Sequence, residues 1–168
     1  MEYKNTLNLP QTDFPMRAGL VQREPERLAK WYADGLYEQI QKRREGAERF
    51  LLHDGPPFAN GDVHIGTALN KILKDFILKY QTLRGKHVPY VPGWDCHGLP
   101  IEFKVTQQMR KDGNTDATPA VIRKACEKYA LEFVDKQREQ FKRLGVLGEW
   151  NKPYLTLNPE YEAEELRL

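Results

Sequence analysis

The chain has 168 residues, enough for one domain with a real core, or for one domain with a small appendage. Its 26 Lys+Arg against 24 Asp+Glu leave a formal net charge of +2, too small an excess to announce a nucleic-acid surface unless the charges cluster locally. Hydrophobic content of 40% with 30% charged residues is that of an ordinary soluble protein, and no apolar run reaches the length that spans a bilayer. The N-terminal residues, Met1 to Thr6, carry no apolar signal core. The two cysteines, Cys96 and Cys126, form no CxxC pair and no disulfide framework, so a reducing, cytoplasmic setting is expected and a zinc site within this chain is not.

Residues 1–20 lack periodicity, contain Pro10 and Pro15, and read as an extended arm. A helix is expected from Pro25, a good first-turn residue, with Leu28, Trp31 and Tyr32 on its apolar face. Asp34-Gly35 offers a bend, after which a second helical piece carries Leu36, Tyr37 and Ile40 and ends in the charged run 41–45, before Gly46. The segment 49–53, apolar in its middle and followed at once by Asp54-Gly55-Pro56-Pro57, reads as a buried strand entering a turn. Ile65, Leu69, Ile72, Leu73, Phe76, Ile77 and Tyr80 then recur at steps of three and four, which predicts a helix over 64–84 stopped by Gly85. On this helix and just beyond it, Lys71, Lys74, Lys79, Arg84 and Lys86 read as a solvated charged face; the basic run 42–44 is ambiguous. Segment 88–91 reads as a second short strand, leading into the turn residues 92–100. Strand, turn, helix, strand is half of a nucleotide-binding α/β unit. A further helix is expected over 119–144, with Thr118 as N-cap, Gly145 as stop, and Val121, Ile122, Ala125, Tyr129, Phe133, Val134 and Phe141 buried. Residues 148–153 read as a loop, and Asn158-Pro159-Glu160 as the start of a last helix without a capping glycine, so the natural polypeptide is expected to continue past Leu168.

The turn from Asp54 to Thr67 combines a strand exit, three glycines and a helix N-terminus. Unpaired N–H groups and the positive helix end make such a place a seat for phosphate. Gly55, Gly61 and Gly66 permit close backbone approach or positive φ, while His64 and Thr67 can both donate to phosphate oxygens. The plainer alternative is a loop that caps a core helix, with His64 a solvated cap residue.

The wording of this stretch, with Pro57, Ala59, Asn60, Gly61, His64, Ile65 and Gly66 at their spacing, resembles the HIGH signature of class I aminoacyl-tRNA synthetases. The resemblance implies a Rossmann-like α/β fold and an ATP site made by Pro57, Ala59, Asn60, Gly61, His64, Gly66 and Thr67. His64 and Thr67 would stabilise charge developing on the phosphates as the amino acid's carboxylate attacks the α-phosphorus. The family usually has a second histidine where this chain has Thr67, and a hydroxyl donates a hydrogen bond but carries no positive charge. The segment from Tyr90 to Glu102, reading YVPGWDCHGLPIE, closely resembles isoleucyl-tRNA synthetases. That likeness implies that Asp95 faces the amino acid's ammonium group, and that Gly55 and Pro56 belong to the amino-acid site. Asp95 capping a turn and Trp94 as a packing residue are the structural alternatives. Cys96-His97 invites a nucleophile or metal reading but lacks further ligands at ligand spacing.

The likeness extends over most of the chain, including Tyr3 to Pro10, Phe14 to Arg17, Arg23 to Pro25 and Asn70 to Asp75. It implies an N-terminal arm and helical lead-in over 1–46 and the first half of the catalytic domain over 47–168, truncated before an editing insertion. The implied activity is ATP-dependent ligation of L-isoleucine to tRNA(Ile), with Mg2+ accompanying ATP, a monomeric cytoplasmic parent, no membrane partner, and zinc only in a C-terminal part beyond this chain. No lysine-loop signature, editing domain or anticodon-binding bundle is present, so this segment is not expected to be active alone. Two alternatives stand beside it: another nucleotidyltransferase sharing the signature, or a non-catalytic ATP- or tRNA-binding module.

Overall fold

The computed structural model describes residues 3–8, 13, 19–114 and 116–168. The expected arm falls largely on residues 9–12 and 14–18, outside that set; within it, Tyr3–Thr6 form one 3-10 turn. Helix α1 spans Leu20–Ala33 and α2 spans Leu36–Arg43, with Gly35 in the left-handed region (φ 62°) as the bend between them. The first helix begins earlier than expected, and Pro25 lies inside it. Its apolar edge is partly covered: Leu28 and Trp31 are half-buried, while Tyr32 is exposed.

Three chain segments then run side by side and parallel. Arg49 bridges His87, Phe58 bridges Asp95, and strand β1 (Gly93–Trp94) pairs with β2 (Tyr154–Leu155) in the register Gly93↔Tyr154 and Trp94↔Leu155. The segment 87–96 is therefore central. Of the segments expected as strands, 49–53 forms the single bridge from Arg49 to His87, and 88–91 forms none. Pro56, Pro57, Pro89 and Pro92 explain this, since proline has no N–H and cannot continue a ladder. Strand β2 was not expected at all; a two-residue strand has no periodicity to read.

Helix α3 (Ile65–Leu83) crosses from the first parallel segment to the second, which is the βαβ connection of a Rossmann-like fold. The charged face expected to be solvated proves to be largely its inner one. Lys71 and Asp75 are buried beside Leu78, and Lys74 is only half-exposed. Lys79 and Lys86 are ion-paired with Asp75 and Glu48. The apolar stripe faces outward instead, with Ile65 87%, Phe76 62% and Leu83 83% exposed.

Helix α4 (Leu99–Lys111), of which only the first two residues fall in the expected turn 92–100 and the rest in a stretch with no expected element, starts after Gly98 (φ 102°) with Pro100 near its first position. It packs against α5 (Pro119–Arg143) as a helical hairpin, with Ile101 and Val105 in the core. Thr118 occupies the N-cap of α5 but makes no side-chain cap bond, and Gly145 (φ 81°) follows its end. The buried positions of α5 are Ala130, Val134, Gln137 and Phe141, whereas Val121 is exposed. A short α6 (Pro159–Glu165) ends in a turn at Leu166. The centre of the core is aromatic: Trp94, Phe141 and Trp150 meet pairwise with ring centroids 6.2–6.3 Å apart.

Candidate active site

The two stretches singled out in the sequence lie side by side. Asp95 N–H donates to the Pro57 carbonyl (2.9 Å) and Ala59 N–H donates to the Asp95 carbonyl (2.8 Å). The glycine-rich turn and the segment carrying Asp95 therefore share one short stretch of parallel pairing. Ala59 is completely buried with its N–H committed to Asp95, so it shapes the turn from behind. Pro56, Pro57, Asn60 and Gly61 are half-buried, and Gly55, His64 and Gly66 are exposed. Gly61 needs its glycine, with φ at 95°. The Asp95 side chain is half-buried, and its Oδ1 accepts from the His97 N–H (3.2 Å).

His64 is the N-cap of α3. Its Nδ1 accepts from the N–H groups of Gly66 (3.1 Å) and Thr67 (3.3 Å), and its Nε2 lies 3.0 Å from Thr67 Oγ1. With Nδ1 accepting, the ring proton of a neutral His64 sits on Nε2, and the Thr67 hydroxyl receives it. Capping and ligand binding are thus compatible: the cap uses Nδ1, Nε2–H is given to the Thr67 oxygen, and the Thr67 O–H is the donor this pair leaves at an exposed helix N-terminus. Gly66 permits the ring to lie this close, since a Cβ there would meet His64 Cε1 at 3.1 Å.

Behind the turn sits a buried polar cluster. Asp54 is 1% exposed; its Oδ2 takes a short bond from Lys71 Nζ and a 3.0 Å bond from Gly93 N–H, and its Oδ1 takes Lys74 Nζ at 2.8 Å. Lys74 also donates to the Gly55 carbonyl (3.1 Å), Lys71 to the Tyr90 hydroxyl (3.1 Å), and the Tyr154 hydroxyl donates to the Asp54 carbonyl. Burial by itself raises the pKa of Asp54, but the Lys71 charge and hydrogen bond, with the bonds from Lys74 and Gly93, hold it below the ordinary aspartate value. Burial pulls the Lys71 ammonium down to about 8 against the opposing pull of Asp54. One carboxylate thus joins the turn, α3, β1 and, through its own carbonyl, β2.

From the other side, α5 holds the turn. Gln137 Nε2 donates to the carbonyls of Phe58 (3.0 Å) and Gly61 (2.8 Å) while its Oε1 accepts from Trp94 Nε1 (3.0 Å). Tyr129 donates to Asn60 Oδ1 (3.0 Å), Gln140 Oε1 accepts from Val63 N–H (2.9 Å), and Lys136 pairs with Asp62 (2.8 Å). Cys96 is buried, and burial pushes its thiol up to about 11, so it stays protonated near neutral pH and is no thiolate nucleophile. His97 lies beside the Thr156 carbonyl (3.2 Å) and Glu162 (3.4 Å). No three His, Cys, Asp or Glu side chains among the described residues gather as a metal site would need.

Residues 26–168 match the family tRNA synthetases class I (I, L, M and V). The chain belongs to that family. It is 60% identical over 165 residues to an isoleucine–tRNA ligase of Zymomonas mobilis, which covers 96% of this chain and 18% of that protein. It is 58% identical over 168 residues to one of Kosmotoga olearia, covering 100% of this chain and 18% of the relative. The match to one of Thermotoga maritima is 58% over 166 residues, again 18% of the relative. The chain thus spans under a fifth of the length of these relatives. A crystal structure of the Agrobacterium radiobacter K84 LeuRS–tRNA–LeuAMS ternary complex superposes with a TM-score of 0.65 at 24% identity, over 90% of this chain and 18% of that one, which shows a shared fold.

In this class I synthetase segment, the structure gathers Gly55 to Gly61 and Asp95 around one stretch of backbone pairing and sets His64, Gly66 and Thr67 at the helix N-terminus that follows. Asp54 and Gln137 went unremarked in the sequence. For Gln137 a signal existed: it is a polar residue in the buried stripe of α5, between Val134 and Phe141. For Asp54 the signal lies elsewhere, in Lys71 and Lys74, whose ammonium groups need a carboxylate once α3 turns them inward.

Proposed function

We propose that the chain is the N-terminal part of an isoleucine–tRNA ligase. The full-length protein joins the carboxylate of L-isoleucine to the α-phosphorus of ATP; the α–β phosphoanhydride bond breaks and pyrophosphate leaves, and a terminal ribose hydroxyl of tRNA(Ile) then takes the isoleucyl group from the adenylate as an ester, with AMP leaving. Identity of 58–60% with isoleucine–tRNA ligases over 96–100% of this chain supports the choice of amino acid. The observation that carries the chemistry is the backbone pairing of Pro57 and Ala59 with Asp95. It supports a site where a carboxylate for the substrate ammonium stands next to the turn that takes ATP, as the attack requires.

In this reading Asp95 binds the ammonium group, and Gly55 and Pro56 line the amino-acid site. Pro57, Ala59, Asn60, Gly61 and Gly66 form the nucleotide seat, with Ala59 acting from behind. His64 and Thr67 donate to the phosphates from the N-terminus of α3, where the helix end favours negative charge. Magnesium enters with ATP as part of the substrate, and any zinc belongs to a part of the protein outside this chain. Residues 1–46 are the arm and helical lead-in, and 47–168 the first half of the catalytic domain. No described helix is long and apolar enough to cross a membrane; we place the protein in the cytoplasm, as a monomer.

ATP–pyrophosphate exchange by the full-length protein tests the reading. Isoleucine is expected to support exchange and valine to do so less efficiently, since one methylene in an apolar pocket is worth only about 1–3 kcal/mol. Exchange with an unrelated amino acid, or none, overturns it. The 168-residue segment alone is expected to give no exchange.

A further inference from the structure

The turn from Phe58 to Val63 is held residue by residue by groups outside itself, and most of them come from one face of α5. Phe58 and Gly61 offer their carbonyls to Gln137 Nε2 at 3.0 and 2.8 Å. Asn60 Oδ1 takes the Tyr129 hydroxyl at 3.0 Å. Asp62 takes Gln140 Nε2 at 2.7 Å and Lys136 at 2.8 Å, and Val63 N–H gives to Gln140 Oε1 at 2.9 Å. Ala59 alone is served by Asp95. Tyr129, Lys136, Gln137 and Gln140 follow helical spacing and lie on one face.

Gln137 stands out among them. It is 3% exposed, in a stripe position where Val134 and Phe141 bury apolar side chains. A buried amide is costly unless it is satisfied, and this one uses both of its N–H donors and its oxygen. The two carbonyls it holds bracket Ala59 and Asn60, and the indole it accepts from belongs to β1, one residue before Asp95. An apolar residue would fill the same volume without fixing the curvature of the turn or its distance from β1.

We propose that Gln137 is a positioning residue for ATP: from α5 it presets the bend of the Phe58–Gly61 turn and ties that bend to the segment carrying Asp95. Tyr129 and Gln140 extend the same support to Asn60 and Val63. The inference rests on the assignment of ATP to this turn made under Proposed function. Preset geometry raises affinity by removing the cost of ordering the turn when the nucleotide binds.

The test uses the full-length protein, with ATP affinity measured by calorimetry and kinetics by exchange. Gln137→Met keeps the volume and loses the three hydrogen bonds; it is expected to weaken ATP binding about tenfold, with the KM for isoleucine changed by less than about twofold. Gln137→Glu, which keeps the acceptor for Trp94 but loses both donors, is expected to weaken ATP binding in the same way. A folded Gln137→Met with unchanged ATP affinity overturns the proposal, and so does equal weakening towards ATP and isoleucine, the mark of general loosening. Should Gln137→Met fail to fold, Tyr129→Phe decides: it deletes one hydroxyl at a half-buried site and is expected to weaken ATP binding by about threefold, and no change overturns the proposal. Wild-type protein that binds ATP but exchanges with another amino acid refutes the isoleucine assignment while leaving Gln137 to be judged on ATP affinity. Wild-type protein that binds no ATP refutes both.

Discussion

At Asp54, one carboxylate with 1% exposure takes two lysines and a backbone N–H, and its carbonyl takes a tyrosine hydroxyl. Removing one partner of such a buried pair leaves the other charged and dry, at a cost of about 3–5 kcal/mol. Asp54→Asn is therefore expected to destabilise the full-length protein by about that much, and adding Lys71→Met to recover most of it, as read by chemical unfolding. The pH dependence follows from the direction of the shift. The folded Asp54 pKa lies below its ordinary 3.8, so its contribution is fully present above that pH and is lost as pH falls through the folded value. Asp54→Asn should flatten the acid limb of the stability curve below pH 3.8. At Thr67, proposed to face the phosphates, the hydroxyl takes the His64 Nε2 proton at 3.0 Å but brings no charge. Thr67→His supplies a charged donor worth about 1.5–3 kcal/mol, and is expected to raise the kcat of exchange about tenfold with little change in the KM for ATP. An unchanged kcat would count against a phosphate-facing role at this position.

Among the elements, α3 carries two opposed faces that both matter. Its charged edge reaches inward to Asp54 while its apolar stripe lies open. Helical periodicity located the helix and its apolar stripe; what it missed is that the charged edge, expected to be solvated, is the buried one. The paired strands depend on a contact as close. A Cβ on Gly93 would fall 2.0 Å from the ring of Tyr154, its partner in β2. Since Tyr154 is also held by the Asp54 carbonyl and stacks on His53 and Tyr161, the ring has nowhere cheap to go. Gly93→Ala is therefore expected to lower the thermal midpoint of the full-length protein and to raise the KM for isoleucine, by pushing β1 and the neighbouring Asp95 out of place; a near-normal midpoint and KM would refute it.

For the whole molecule, the outward stripe of α3, with Leu69, Leu73, Phe76, Ile77, Tyr80 and Leu83 exposed, is a large contiguous apolar face. Faces of that kind bind dyes and other copies of themselves. The 168-residue segment alone is expected to enhance ANS fluorescence and to self-associate in light scattering, and Phe76→Lys with Ile77→Lys to suppress both. A segment that stays monomeric and binds no dye would show that face to be covered by the chain's own residues.

Much of this protein was legible in the order of its residues. Helical spacing placed α3 and α5, and glycines and prolines marked the turns around them. The wording at 57–67 and 90–102 named the family. These are local properties, written in neighbours along the chain. The helix α4 escaped, although Ile101, Val105 and Met109 recur at steps of four, because it opens on Gly98 and Pro100, which read as turn. Lys71 and Lys74 were misread because a lysine's burial depends on a carboxylate seventeen or twenty residues away. Gln137 reaches back seventy-nine residues to Phe58. Only the folded chain decides which charges meet, which face of α3 turns inward and which helix steadies the glycine-rich turn, because burial and pairing are set by what packs opposite and not by what stands next in sequence.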